Sequence, residues 1–273
     1  MKQSTPLITR FICPLLFVVW GWASGCKYDS KATTTGLKQD SLYVYKKPID
    51  PNGIGKYYRG RQIAYTMGHT EASWLERPER EQEERTDLLL QALQLKPTDV
   101  VADIGAGSGY FTFRISPLVP RGKVLAVDVQ QEFLNMLMDN RILKNAFNVE
   151  PVLGSLQDPN LPADSVDVVL IVDAYHEFSH PYEMLMGIKK ALKPRGRLIL
   201  VEYKAEDPYV PIKALHRMSE KQAVKEVTGI GLKFVENKNI LPLQHILVFE
   251  KLWNKEWCML SIFLIALPTI FIT

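Results

Sequence analysis

Short apolar runs recur through the middle of the chain, and amphipathic segments separate them. The runs lie at residues 100–104, 124–127, 166–172 and 198–201. Apolar runs of this length, bounded by turn residues, are typical of strands that are covered on both faces. Apolar residues recur every three or four positions in 133–142, in 184–192 and within the segment 211–228, which predicts helices there. Strands that alternate with helices predict a parallel α/β sheet.

The last two apolar runs follow a different pattern. Residues 232–235 and 245–249 have the composition of strands, and the connection between them is too short for a helix. We therefore expect an antiparallel hairpin at the end of the sheet. Before the first run, a charged stretch at 76–87 has opposite charges four positions apart, which predicts a solvent-exposed helix face.

The N-terminus has the features of an export signal. Lys2 and Arg10 precede the apolar stretch 11–22, which is too short to span a bilayer, and small residues at 23–25 precede Cys26. This order resembles a bacterial lipoprotein signal over residues 1–26, in which Cys26 is lipidated. It predicts a protein anchored to the membrane of the bacterial periplasm or cell envelope. A plain secretory peptide, an uncleaved anchor and a location on the cytoplasmic face remain alternatives.

Three further segments lie outside the predicted α/β core. Residues 27–60 are mostly polar and without an apolar period, which predicts a tether. Residues 61–84 predict a helical extension or lid. Residues 253–273 form an apolar tail, and a helix over its charge-free part would be about 25 Å long, short of a bilayer core of about 30 Å. A marginal membrane tail and a helix that docks on the body both remain open.

The composition and net charge of the chain exclude several classes of protein and of catalytic site. The 273 residues include 33 basic and 30 acidic side chains, so the chain lacks the excess of positive charge that is typical of nucleic-acid-binding proteins. The three cysteines, Cys13, Cys26 and Cys258, lie near the ends. This excludes a disulfide scaffold, a Cys-ligated zinc site and a cysteine nucleophile in the core.

The most informative stretch is the turn after the first core strand. Asp103 ends that strand, and Gly105, Gly107 and Gly109 follow at alternate positions before a helix. Glycines here allow positive φ and a close approach of a ligand to the backbone. A dinucleotide loop would have its third glycine one place later. Asp128 ends the next strand, where a carboxylate accepts hydrogen bonds from ribose hydroxyls.

This pattern resembles the first motif of class I S-adenosylmethionine-dependent methyltransferases, and the later elements follow in that family's order over residues 85–252. The resemblance implies a doubly wound, three-layer α/β/α fold, with a mostly parallel seven-stranded sheet and an antiparallel C-terminal strand. It implies S-adenosylmethionine as the cofactor. The residues that would hold it are Asp103, Gly105, Ala106, Gly107, Gly109, Asp128, Val129, Ser155, Leu156 and Asp173.

The resemblance also indicates where the methyl acceptor binds. Tyr175 and His176 follow the fourth core strand, where family members meet the acceptor, so both are candidate catalytic residues. His176 would take a proton from the acceptor or only donate a hydrogen bond to it. Trp74, in the predicted lid, would cover the cofactor. No Asn/Asp-Pro-Pro-aromatic motif follows this strand, and the core has no cysteine, so we expect a small-molecule or lipid-like acceptor.

Two other functions compete. Residues 176–180 match H-E-x-x-H, the signature of zinc hydrolases, with Glu202 as a conceivable third ligand. Pro181 disfavours a helix through His180, so we expect these histidines on a loop and predict no metal site. Export of the chain would instead favour a non-catalytic, ligand-binding module on the same fold.

Overall fold

The computed structural model describes residues 42–253. The predicted lipoprotein signal, residues 27–41 of the predicted tether and nearly all of the apolar tail lie outside this range. Within 42–253, every helix is too short or too polar to cross a membrane.

The described residues contain ten strands and seven α-helices. The strands are β1 Tyr43–Tyr45, β2 Gly53–Tyr58, β3 Arg61–Ala64, β4 Val100–Ile104, β5 Lys123–Asp128, β6 Val149–Leu153, β7 Val166–Val172, β8 Leu192–Tyr203, β9 Lys233–Asn237 and β10 Gln244–Glu250. The helices are α1 Ala72–Leu75, α2 Arg80–Glu84, α3 Thr86–Ala92, α4 Tyr110–Ile115, α5 Gln131–Leu143, α6 Pro181–Ala191 and α7 Glu220–Thr228.

Seven strands form the main sheet in the order β6-β5-β4-β7-β8-β10-β9. Strands β4 to β8 pair in parallel, and β10 is antiparallel to both β8 and β9. This confirms the predicted doubly wound sheet and its antiparallel C-terminal strand. Strand order reverses between β4 and β7, so their carboxyl ends flank a crevice of the kind that binds ligands in α/β proteins.

The core lies on both faces of this sheet. Successive side chains of one strand enter two different apolar clusters: Val101 and Leu170 belong to one cluster, and Ala102 and Ile171 belong to the other. All four are fully buried. Side chains alternate across a strand, so both faces need an apolar cover, which the helices provide. This confirms the three-layer architecture.

Residues 43–58 correct the predicted tether. They form β1 and β2, which pair with β3 in a separate three-stranded antiparallel sheet. Tyr43, Tyr58 and Ile63 are its buried apolar side chains. The turn between β2 and β3 is Arg59-Gly60, with φ of 49° and 96°, a two-residue hairpin connection with positive φ at both positions. The sequence does not predict this hairpin, because charged residues interrupt the apolar pattern and Arg-Gly is an uncommon pair at a two-residue turn.

Two predicted helices are also shorter than expected. The helical stretch around 78–95 is divided into α2 and α3 at Arg85, which has φ of 54°. In the segment 211–228, Ala214–His216 form only a 3₁₀ turn, and the helix α7 begins after Ser219, whose side chain accepts a hydrogen bond from the amide of Gln222. Met218 instead donates its amide to the carbonyl of Tyr203, so the chain before α7 runs beside the end of β8.

Candidate active site

A cavity of about 830 Å³ lies at the carboxyl ends of β4, β5 and β7. Its volume is within the range of about 300–1,000 Å³ that is typical of small-molecule sites. The glycine turn and Asp128 line one end. His176, Glu177 and His216, which we call the polar cluster, line the other. One cavity therefore joins the two places where the sequence predicts a cofactor and an acceptor.

The glycine turn leaves no room for side chains. Gly105 and Gly107 have φ of 76° and 55°. A Cβ on Gly105 would lie 2.8 Å from the Cβ of Ala174, and a Cβ on Gly107 would lie 2.7 Å from Cδ1 of Leu75. The amide of Gly105 donates to the carbonyl of Val127 at 2.9 Å, which holds the turn against the end of β5. The backbone of the turn itself therefore forms the cavity wall.

Asp128 is held by backbone amides on both of its oxygens. Oδ2 accepts from Gly107 at 3.0 Å, and Oδ1 accepts from Gln130 at 2.9 Å. Burial raises the pKa of Asp128, and these two amides lower it in part. Each carboxylate oxygen can accept a second hydrogen bond, so Asp128 can bind hydroxyl groups of a ligand in the cavity.

Asp173 contributes a buried oxygen that lacks a protein partner. Oδ2 accepts a hydrogen bond from Gln244 at 2.7 Å, whereas Oδ1 has no partner among the described residues. Burial, together with Glu84 and Glu202, raises the pKa of Asp173 well above its ordinary value. A buried carboxyl in the cavity wall with an unsatisfied oxygen fits a ligand that has an amino group, because an ammonium would offset these costs.

Helix α2 closes the same side of the cavity through an ion network. Glu84 accepts hydrogen bonds from Arg80 at 3.0 Å, Arg77 at 2.6 Å and the hydroxyl of Tyr203 at 2.8 Å. Burial raises the pKa of Glu84, but Arg80 and these donors lower it further, so the net shift is downward. The two arginines, which could have met a carboxylate of the ligand, are thus paired within the protein.

His176 lies in a 3₁₀ turn, Tyr175–Glu177, directly after β7. Its Nδ1 donates to Oε2 of Glu202 at 2.6 Å, and its backbone amide donates to Oε1 of the same carboxylate at 3.2 Å. Both side chains are buried. Burial lowers the pKa of His176, but Glu202 and Glu177 raise it, and the net shift is upward. Because Nδ1 is engaged by Glu202, Nε2 is the ring nitrogen that faces the other members of the polar cluster.

Glu177 and His216 complete the polar cluster. Oε1 of Glu177 lies 3.7 Å from Nε2 of His176 and 3.5 Å from Nδ1 of His216. Nε2 of His176 lies 3.1 Å from Nδ1 of His216. The other oxygen of Glu177 accepts a hydrogen bond from the amide of Met67 at 3.0 Å.

The residues from Tyr65 to Arg77, which we call the cover segment, cross the cavity. Gln130 fixes one part, since its Nε2 donates to the carbonyl of Met67 and its Oε1 accepts from the amide of His69. Ser108 fixes another part by donating to Glu76 at 2.6 Å. Trp74 lines the cavity, and its ring is stacked on the Arg77 guanidinium at 3.9 Å.

Seven of the predicted site residues line the cavity. They are Gly105, Gly107, Asp128, Val129, Leu156, Asp173 and His176. Others support the wall from behind. The carboxylate of Asp103 accepts a hydrogen bond from the hydroxyl of Thr112 at 2.6 Å. The hydroxyl of Ser155 accepts a hydrogen bond from the amide of Asp158 at 2.9 Å and so closes a turn. Gly109 directly precedes α4 and has φ of 90°. Ala106 is buried behind the turn.

Tyr175 corrects the prediction of a catalytic tyrosine. Its ring lies outside the cavity lining and is fully buried, and its hydroxyl donates to Oε2 of Glu226 at 2.7 Å. Glu226 also pairs with Arg61 at 2.9 Å, and Arg61 donates to the carbonyl of His176 at 2.9 Å. In the tight 3₁₀ turn, Tyr175 faces β3 and α7 whereas the next residue faces the cavity. Tyr175 therefore has a structural position.

The structure also corrects the zinc-hydrolase alternative. That chemistry needs both histidines of H-E-x-x-H on one face of a helix. Here helix α6 begins only at Pro181, and Nδ1 of His180 contacts Oγ of Ser179 at 3.0 Å. The histidine that accompanies His176 is His216, forty residues later. Glu202 contacts His176 on the opposite side of its ring.

Gln130 and His216 are site residues that the sequence alone does not indicate. Glu177 appears in the sequence analysis only as part of the H-E-x-x-H match. Gln130 lies two residues after Asp128 and was detectable as part of the same strand end. His216 falls within a segment predicted to be helical, and its position at the cavity depends on contacts such as that between Met218 and the end of β8. That contact has no local sequence signal.

Residues 101–196 match a family model described as a methyltransferase domain. This segment is therefore similar to a methyltransferase domain. Similar proteins include an uncharacterized methyltransferase-like protein of Schizosaccharomyces pombe, 35% identical over 126 residues, which are 46% of each chain. The uncharacterized methyltransferase YcgJ of Bacillus subtilis is 28% identical over 61% of this chain and 65% of its own length. The chain thus spans about half to two thirds of these two relatives.

A solved structure shows the same fold. A SAM-dependent methyltransferase from Aquifex aeolicus has a TM-score of 0.65 at 23% identity and covers 68% of this chain and 100% of its own. Family and fold together imply S-adenosylmethionine as the cofactor. The wall fits this group: Asp128 suits ribose hydroxyls, the orphaned Oδ1 of Asp173 suits an ammonium, and the glycine turn admits a close approach.

Proposed function

We propose that the protein transfers a methyl group from S-adenosylmethionine to a small-molecule or lipid-like acceptor. The observation that carries this proposal is the single cavity that joins the glycine turn and Asp128 to His176. When bound, S-adenosylmethionine supplies an electrophilic methyl group on a sulfonium. The protein then has to position two partners and exclude water, since the nucleophile comes with the acceptor.

The cofactor end is the part of the cavity beside the glycine turn and Asp128. Asp128 would hold the ribose, and Asp173 would hold the amino group. Leu156 and Val129 line the same end and are about half and one third exposed, so they offer apolar surface for a base. The cover segment would shield the reacting atoms from water because Gln130 and Ser108 tie it to the rim.

The acceptor end combines apolar walls with the polar cluster. Met67, Phe178, Met184 and Ile212 contribute apolar surface to the cavity. The polar cluster provides ring nitrogens and a carboxylate for the hydroxyl or amine that becomes methylated. Glu202 keeps His176 in one orientation, with Nε2 beside Nδ1 of His216, and an acceptor group would take the place of that contact. His176 is therefore the catalytic residue that we propose, and Glu202 is its positioning residue.

Calorimetry on the full-length protein tests this function, with S-adenosylmethionine and NAD as ligands. We expect binding of the former alone. Methyl transfer is then followed with isotope-labelled cofactor and a panel of phenols, quinols and amphipathic alcohols, with mass spectrometry of the products. Binding without transfer to any acceptor would favour the non-catalytic module, and absence of cofactor binding would refute the proposal.

We also propose that Cys26 carries a lipid that anchors this protein to a membrane. The support is the order of a basic start, a short apolar stretch and small residues before the cysteine. Mass spectrometry of the N-terminal peptide tests it. A lipid-modified Cys26 at a new N-terminus is expected, and Cys26→Ala should abolish the modification. An unmodified peptide that includes residues before Cys26 would refute it.

A further inference from the structure

The polar cluster has the dimensions of a metal site. Its three ligand atoms are Nε2 of His176, Oε1 of Glu177 and Nδ1 of His216, and all lie within 4.8 Å of one another. The three separations are 3.1, 3.5 and 3.7 Å. Two ligands of a tetrahedral cation with bonds of about 2.1 Å lie about 3.4 Å apart. The triangle therefore matches one face of such a coordination shell.

The hydrogen bonds of His176 are also those expected of a histidine that binds a metal. A metal-ligating histidine donates its second ring N–H to a carboxylate or carbonyl, which fixes the ring and its tautomer. His176 does this through Nδ1 with buried Glu202 at 2.6 Å, and Glu202 is also held by the amide of His176. Glu177 is fixed in turn by the amide of Met67. Two of the three ligands are thus oriented before any cation binds.

The local charge favours a cation. Two carboxylates, Glu177 and Glu202, face the imidazole of His176. The nearest guanidinium, Arg61, is matched by the carboxylate of Glu226. The side chain of Lys213 also lines the cavity, but its ammonium contacts Asn52 at 3.3 Å. With neutral histidines the cluster and Glu202 therefore have an excess of negative charge.

We propose that His176, Glu177 and His216 bind a divalent transition-metal cation of the Zn²⁺ type at the acceptor end of the cavity. Two imidazoles and one carboxylate form a ligand set that suits zinc and its neighbours rather than Mg²⁺ or Ca²⁺. Three protein ligands leave a fourth position, which is the arrangement of sites that bind an exogenous ligand. The cluster lines the cavity, so that position is open to it.

The consequence for the acceptor rests on the proposed function. A hydroxyl oxygen of the acceptor would take the fourth position and release its proton to water more readily, because a bound cation lowers the pKa of an attached hydroxyl. The acceptor would then be an alcohol, phenol or quinol, with the oxygen as its nucleophile. Its oxygen–carbon bond would form as the sulfur–carbon bond of the sulfonium breaks, giving a methyl ether and the neutral thioether.

The experiment measures cation binding on full-length protein that has been freed of metal with a chelator. Zn²⁺ is titrated against a chromophoric chelator, and Co²⁺ is followed by its visible absorption. We expect one cation per chain. His216→Gln and Glu177→Gln should weaken binding at least tenfold, and Glu202→Gln about 10- to 100-fold through loss of the outer hydrogen bond.

His180→Gln is the matched control. His180 belongs to the H-E-x-x-H motif but lies outside the polar cluster, so its variant should bind the cation like wild type. Binding that His180→Gln abolishes, binding that His216→Gln leaves intact, or no stoichiometric cation in wild type would each overturn the proposal.

S-adenosylmethionine affinity, measured on the same samples, separates the two proposals and reports that each variant is folded. Cofactor binding without a cation would overturn only the metal site. Cation binding without the cofactor would overturn only the methyltransferase function. If both occur, methylation of a phenol should respond to the chelator in wild type and not in His216→Gln.

Discussion

The carboxylate of Asp128, at the end of β5, accepts a hydrogen bond from the amide of Gly107 in the turn that follows β4. One side chain therefore links the two neighbouring strand ends that form the cofactor end of the cavity. It also explains why an acid at this position supports the turn even before a ligand binds. The backbone of the turn and the carboxylate are arranged relative to each other by this single contact.

Asp128→Ala should weaken S-adenosylmethionine binding about 10- to 100-fold. The variant removes hydrogen bonds to a charged acceptor, each worth about 1.5–3 kcal/mol. Calorimetry measures the loss. Asp158→Asn is the control, because Asp158 lies on the loop after β6 and outside the cavity lining. Equal affinities of Asp128→Ala and wild type would contradict the assignment of this carboxylate.

Gly107→Ala should weaken cofactor binding and displace the cover segment. An added Cβ meets Leu75 at 2.7 Å, and the residue must keep φ of 55°. The left-handed conformation costs a residue with a Cβ about 1–2 kcal/mol. Gly60→Ala is the matched control, since Gly60 has φ of 96° but open space around it. Both variants should lose stability in urea, and only Gly107→Ala should lose cofactor affinity.

Tyr175→Phe should lower stability and leave methyl transfer nearly unchanged. The hydroxyl stabilises buried Glu226, and loss of one such hydrogen bond costs about 1–3 kcal/mol. Urea unfolding measures the first effect, and kcat with a working acceptor measures the second. His176→Gln, by contrast, should reduce kcat at least a hundredfold with cofactor binding retained. A large fall in kcat for Tyr175→Phe at unchanged stability would restore the catalytic prediction for this residue.

Asp103 should make stability depend on pH between about 4 and 6. Burial raises its pKa to about 6, against a hydrogen bond from Thr112 that lowers it. The folded state therefore binds this proton more tightly than the unfolded state, and stability falls as pH rises through this window. Two pKa units correspond to about 3 kcal/mol.

Urea unfolding of wild type and Asp103→Asn at pH 4.5 and 7.5 measures that contribution. The variant keeps an acceptor for Thr112 but has no charge to bury. Wild type should gain about 2 kcal/mol more stability than the variant on going from pH 7.5 to pH 4.5, because pH 4.5 still lies above the unfolded pKa of this carboxyl. The same pH dependence in both proteins would place the responsible group elsewhere.

The sequence predicted those parts of the molecule that local patterns encode. The buried strands, the glycine turn and Asp128 follow from apolar runs and from residues at strand ends, and the structure confirms the sheet they imply. His216 and Glu202 could not be assigned in the same way, because their proximity to His176 depends on how β7, β8 and the segment before α7 pack together. Tyr175 and His176 show the limit most clearly: adjacent residues face opposite sides of one turn.

Arg61 makes the first described strands indispensable to the rest of the protein. Its guanidinium pairs with the buried carboxylate of Glu226 and donates a hydrogen bond to the carbonyl of His176. A version of the protein that starts at residue 85 would therefore leave the carboxylate of Glu226 buried without this charged partner. Removing one partner of a buried ion pair costs about 3–5 kcal/mol, much of the net stability of an ordinary domain. A shortened protein that keeps this ion pair therefore has to begin before β3, well upstream of the residues that match the family model.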